Sequence, residues 1–393
     1  IILKKGEWSE WLPIRFDVMG PFSSVGGMVR LYAQEIHPYL KLYVSPVNID
    51  PMEPILPISS PSNYSKELAE ASGRFYTQGF PADTKALSHD VFSDEEFIDQ
   101  AEIVLNELLR SFDYQINRFN EGVFFFYFSS TDQMSHMLYR TMDPTHPLYD
   151  PNASPRVKNA IKNLYQKMDS VLAQTLPKVD SRTKLFVLSD HGFAPFSREF
   201  HVSTWLLDNG YTVLSDPTKK GEGEFYKYVD WSKSKAYALG LNGIYLNMKG
   251  REPHGIIEQG QVSNLLSEIS QKLQKVVDPK NGNPIVTKAY ISSELYSGPF
   301  VNLAPDIVLG YQRGYRISDE SALGKFPMET VGDRTNKWSA DHCSDPIGVP
   351  GMILTNSNSI NPNPGLWDMA PTILNSFGYD APKEMTGKSI FKS

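Results

Sequence analysis

The sequence predicts an α/β protein of three layers, α/β/α, around a mainly parallel central sheet. Two apolar runs and the helix between them carry that prediction. Leu185-Phe186-Val187-Leu188 has the composition of a strand buried on both faces, and residues 123–128 form an aromatic run short enough for a central strand. Between them, Ile161, Leu164, Met168, Val171 and Leu172 recur at helical spacing across residues 155–176. Strand, helix and strand read as a βαβ unit, whose parallel strands need such a crossover.

The other elements follow in order. Residues 11–16, 28–33 and 40–44 alternate apolar and polar between Gly26-Gly27 and His37-Pro38 breaks, as in an antiparallel meander. The prolines between residues 50 and 62 read as a connection, and 63–73 as a short helix. Ser93-Asp94-Glu95-Glu96 opens a longer helix running to about Asn120, with a serine cap and acids in its first turn. A short helix and turn over 200–214 lead to a hairpin-like pair, 235–239 and 243–247, and then to an amphipathic helix over 261–276. Strands are predicted at 285–290, 306–311 and 349–354, a long loop at 314–339, and a closing helix at 369–377. The predicted organisation is an antiparallel β elaboration (1–50), an α/β core (51–192 and 306–393) and an inserted lobe (193–305).

Composition narrows the function classes. A formal charge of −7 and a pI near 5.7 argue against binding a nucleic-acid polymer, whose phosphates demand a basic footprint. No apolar run reaches the roughly 18 residues of a transmembrane helix. The single cysteine, Cys343, excludes an intramolecular disulfide framework and leaves the compartment open.

Three polar motifs follow the apolar runs. Asp190-His191-Gly192 ends the 185–188 run, at a carboxyl edge where ligands of open α/β sheets collect. Taken alone, a hydrogen-bonded turn explains that pair equally well. Asp132 and His136 lie four apart after the aromatic run, and a helix starting there puts both on one face, as two ligands of one metal require. His342 lies in Ser339-Ala340-Asp341-His342-Cys343-Ser344-Asp345, a polar loop before the last predicted strand.

As an ordered set these motifs resemble the alkaline phosphatase superfamily, and within it the type I phosphodiesterase and nucleotide pyrophosphatase branch. Softer similarity lies in Ala304-Pro305-Asp306, in Val349-Pro350-Gly351 and in Trp367-Asp368-Met369-Ala370-Pro371-Thr372. The resemblance implies an alkaline-phosphatase-like fold and a hydrolase that clamps a phosphoryl group between two divalent cations, zinc above all. It implies Asp132, His136 and His342 as ligands of one ion, and Asp190 and His191 as ligands of the other. The substrate is then a small phosphoric ester, a diester or nucleotide-like compound ahead of a monoester.

The chain departs from that pattern at its start. The resemblance calls for a strand ending in a metal-binding aspartate and a Ser/Thr nucleophile before a Thr-Gly turn, and neither is identifiable here. The expectation is that this chain is the C-terminal part of a longer polypeptide, that the nucleophile lies upstream of Ile1, that the missing segment is a partner, and that activity of the isolated chain is impaired. Ser23, Ser24 and Thr77 qualify only as hydroxyls near glycines. Arg313 and Arg316 are candidates for bidentate phosphate contact. Asp341 and Asp345 are candidates for orienting His342, Cys343 is assigned to packing, and His37, His89, His146, His201 and His254 are read as structural. Two alternatives stay open: a non-catalytic metal- or ligand-binding module, and a phosphomutase- or sulfatase-type member of the same superfamily.

Overall fold

A computed structural model describes residues 1–17, 24–357 and 360–391. The chain divides into two compact units. The first comprises Ile1–Pro144, Leu148–Tyr165 and Asn336–Trp338; the second comprises Thr145–Pro147, Gln166–Thr335 and Ser339–Ser393.

In the first unit, β1 (Leu12–Asp17) pairs antiparallel with β2 (Ser24–Val29), and β3 (Leu31–Glu35) pairs antiparallel with β4 (Lys41–Val44). The predicted 28–33 strand is thus two strands, divided at Arg30. That side chain turns inward to Glu107, donating from Nη2 at 2.7 Å, while Trp11 donates to the same oxygen at 2.9 Å. Helices α1 (Tyr64–Ser72) and α2 (Thr84–Ser88) precede α3 (Asp94–Ile116). The start of α3 is fixed by a capping box: Ser93 Oγ accepts from Glu96 N, and Glu96 Oε2 accepts from Ser93 N. Trp8, Tyr32, Tyr43 and Phe92 form an aromatic core beside it.

Residues 123–128 correct the central-strand expectation, because no ladder includes them among the described residues. Their alternation survives: Phe124, Phe126 and Phe128 pack on Phe112 of α3, while Val123 and Phe125 are exposed. Next come α4 (Ser130–Leu138), α5 (Pro155–Lys158) and α6 (Ala160–Thr175), so the predicted 155–176 helix breaks at Asn159. The boundary between the two units falls within α6.

The second unit opens with β5 (Phe186–Leu188), β6 (Ala194–Phe200), α7 (Val202–Asp208), β7 (Ala236–Leu239) and β8 (Gly243–Leu246). It continues through α8 (Val262–Leu273), β9 (Val286–Ile291), α9 (Ser292–Leu295), β10 (Ile307–Tyr311), β11 (Gly314–Ile317), α10 (Asp319–Ala322), β12 (Val331–Asp333), β13 (Ala340–Asp341), β14 (Ile353–Thr355) and α11 (Met369–Ser376). A four-stranded antiparallel sheet, β7-β8-β10-β9, holds the main core. Its strands present Ala238, Ile244, Leu246, Ile307 and Leu309, and α8 adds Leu266, Ile269 and Leu273 at helical spacing. Each of those three α8 side chains contributes about 1.5–3 kcal/mol by leaving water.

The sheets are mostly antiparallel, which corrects the mainly parallel, three-layer expectation to a mixed α/β architecture of several sheets. Among the strands of the described residues, β11 alone pairs parallel, with β6; β12 and β13 pair with β6 antiparallel. β5 pairs antiparallel with β14 and is only half-buried, not covered on both faces. The predicted loop at 314–339 contains β11, α10 and β12, all organised around β6 or its neighbours.

Candidate metal centre

In the first unit, α4 begins two residues after the aromatic run and carries Asp132 and His136 one turn apart. His136 Nε2 lies 3.5 Å from Asp132 Oδ1, so the four-residue spacing does place both donors on one face. His136 is buried, and its ring lies on Trp338 with centroids 3.9 Å apart. Asp132 is in the first turn of α4, where the helix N-terminus favours a carboxylate. Gln133 Oε1 accepts the Ala82 amide at 2.9 Å and anchors the same turn.

In the second unit, Asp190, His191 and His342 come together. The chain leaves β5 through Ser189, whose amide donates to Met352 O at 3.0 Å, and Gly192 N donates to Val349 O at 2.9 Å. A Cβ on Gly192 would lie 2.6 Å from Pro350 O, so close backbone approach is what requires glycine here. These bonds hold Asp190 and His191 at the strand end, with His191 Nε2 3.4 Å from Asp190 Oδ2. The rings of His191 and His342 stack, centroids 3.6 Å apart and planes at 17°. Phe193 meets both rings edge-on at 5.6 Å.

His342 follows β13, and Asp341 Oδ1 accepts both the His342 and Cys343 amides, at 2.8 and 2.9 Å. Donor atoms of Asp341, His342 and Cys343 lie within 4.8 Å of one another. Burial, and then the Asp341 charge, push the Cys343 thiol up to about 12, in keeping with a packing role. Asp345 is buried, with its Oδ2 accepting from Tyr290 at 2.8 Å and its Oδ1 from Ile347 N at 3.1 Å.

The two arginines differ. Arg313 is exposed and donates to Phe193 O at 3.2 Å and Gly348 O at 3.4 Å. Arg316 is buried, with Nε 3.0 Å from Asp341 Oδ2 and Nη1 3.1 Å from Asp319 Oδ1. Its charge is committed within the fold. Sequence reasoning missed Phe193 and Trp338 as ring partners of the histidines; a run of separate aromatics carries no signal of which histidine each will meet.

The remaining candidates are placed as follows. Thr77 Oγ1 donates to Ile49 O at 2.8 Å, Ser24 opens β2 with its partner Asp17, and Ser23 lies outside the described residues. His146 and His201 are buried and bonded, to Phe196 O and Ser318 Oγ, whereas His37, His89 and His254 are exposed.

Within each unit the carboxylate and imidazole donors are chemically suited to a borderline divalent cation such as zinc. The fold and these donors define a mixed α/β protein with candidate metal-ligand groups at the ends of its elements. The sequence model of the family Type I phosphodiesterase / nucleotide pyrophosphatase matches residues 56–343. The chain belongs to that family and is, by that membership, a phosphoric ester hydrolase. No curated protein matches it.

Proposed function

We propose that this chain hydrolyses small phosphoric diesters or nucleotide-like esters with the help of two divalent cations, zinc in the first instance. Asp132, His136 and His342 are assigned to one ion, and Asp190 and His191 to the other. The observation that carries the reading is the family match, whose span of 56–343 contains all five proposed ligands. The pairing of Asp132 with His136 on one face of α4, and of Asp190 with His191 past β5, supports it.

When bound, such ions supply Lewis-acid stabilisation of the phosphoryl oxygens and activation of the attacking oxygen. The chain's own part is to hold the donors in place. Trp338 fixes the plane of the buried His136 ring, and Phe193 closes one edge of the His191 and His342 stack. Of the two arginines, the exposed Arg313 is the one assigned to the substrate phosphate.

The test is a comparison of bis(p-nitrophenyl) phosphate, p-nitrophenyl phosphate and p-nitrophenyl sulfate under one set of conditions with added zinc. The reading expects the highest kcat/KM on the diester. A preference for the sulfate would overturn it in favour of sulfatase chemistry.

A further inference from the structure

We propose that Arg316 is a positioning residue for His342, acting through Asp341. The proposal rests on the reading of His342 as a metal ligand. The Arg316 and Asp341 side chains are only 7% and 5% exposed, and Arg316 Nε lies 3.0 Å from Asp341 Oδ2. The opposite carboxylate oxygen, Oδ1, accepts the amides of His342 and Cys343. One carboxylate therefore forms an ion pair with a guanidinium on one side, with no directed Nε hydrogen bond, while its other oxygen accepts the amides of the turn that presents the imidazole.

That turn follows directly on a short strand. β13 is two residues long, Ala340 and Asp341, so His342 is the first residue beyond the ladder with β6. Arg316 is itself fixed, since Nη1 donates to Asp319 Oδ1 at 3.1 Å and the guanidinium carbon lies 5.0 Å from the Phe196 ring centroid.

A merely structural ion network is the competing explanation, and the same network supplies its control. Arg334 is 3% exposed, lies over the same Phe196 ring at 4.5 Å, and bonds Glu199 and Asp319 at 2.6 and 2.8 Å. It matches Arg316 in burial and shares its Asp319 partner, and it bonds Glu199 where Arg316 faces Asp341.

The experiment is a zinc titration in competition with a chromophoric chelator, with thermal melting alongside, on Arg316→Met, Arg316→Lys, Arg334→Met and His342→Ala. Arg316→Met should weaken zinc binding about 10- to 100-fold, the range for losing a group that orients a ligand, and Arg316→Lys should recover part of it. Arg334→Met should melt at a lower temperature and keep its zinc affinity within about threefold. Wild-type affinity in folded Arg316→Met overturns the proposal, as does an equal weakening in Arg334→Met. Should Arg316→Met fail to fold, Arg316→Lys carries the test, and wild-type affinity in it is the overturning result. His342→Ala separates the two layers. If it binds zinc as the wild type does, the ligand reading itself has failed; if it loses zinc while Arg316→Met does not, only the positioning role has.

Discussion

The imidazoles of His191 and His342 lie face to face, 3.6 Å between centroids, although 150 residues separate them in the chain. Asp190 flanks the first ring and Phe193 touches both edges. Imidazoles assigned to metal ligation and brought this close should be individually indispensable. His191→Ala and His342→Ala are each expected to lower kcat/KM by more than about 100-fold, beyond what loss of an orienting group costs, with less metal bound. Steady-state kinetics and metal analysis of the purified variants check this; near-wild-type turnover in either would remove that residue from the site.

Asp132 and His136 offer a test that separates function from stability. Their interaction is a pair one turn apart on α4, the kind worth about 0.2–0.5 kcal/mol to a helix. Asp132→Asn should therefore melt close to the wild type while losing activity by at least about 100-fold. A large fall in melting temperature with proportionate loss of activity would mark Asp132 as structural.

Acid stability should report on the second unit's ion cluster. The Asp278 side chain is fully buried, and Arg198 donates to both of its oxygens at 2.6 and 2.7 Å. Burial works against the Asp278 charge, but the bonds from Arg198, the Lys280 amide and Tyr315 outweigh it and hold the carboxyl below its ordinary value. A depressed carboxyl contributes stability that is present above its unfolded pKa, about 3.9, and lost as pH falls through the folded value. Asp278→Asn should cost about 3 kcal/mol at pH 7, the low end for breaking a buried pair because Arg198 also bonds Asp333. Urea unfolding at pH 7 and pH 3 should show that difference shrinking in acid. A constant difference would mean that the Asp278 charge is not what stabilises.

Cys343 adjoins His342 yet is expected to be dispensable. Its partly buried thiol, pushed up to about 12, behaves as a small apolar group. Cys343→Ala should keep kcat/KM within about threefold, with unchanged metal content. Loss of a bound ion would instead make the thiol a ligand.

What the sequence shows about this molecule is mostly local. Ser93 and Glu96 announce the start of α3 because a capping box needs only four residues. Asp132 and His136 are legible as a pair for the same reason, since four residues fix a helical face. Residues 123–128 have the composition of a strand, but a strand exists only where a partner backbone bonds to it, and composition does not reveal the partner. The 314–339 segment fails in the opposite direction: its Gly, Ser, Arg and Lys content reads as loop, whereas β6, more than 110 residues earlier, recruits β11 and β12 from it. Arg316 was legible as a cation near a phosphate chemistry. Its burial against Asp341, Asp319 and Phe196 depends on that same long-range pairing.

Whether the hydrolysis depends on a metal is decided by removing the metal. The protein is dialysed against a strong chelator, assayed on bis(p-nitrophenyl) phosphate, and reassayed as zinc is added back with bound metal counted. Hydrolysis should disappear with the metal and return as about two ions bind per chain, as a two-metal phosphoryl clamp requires. Hydrolysis that survives complete chelation, or a protein that binds no divalent ion, would rule out the two-metal mechanism.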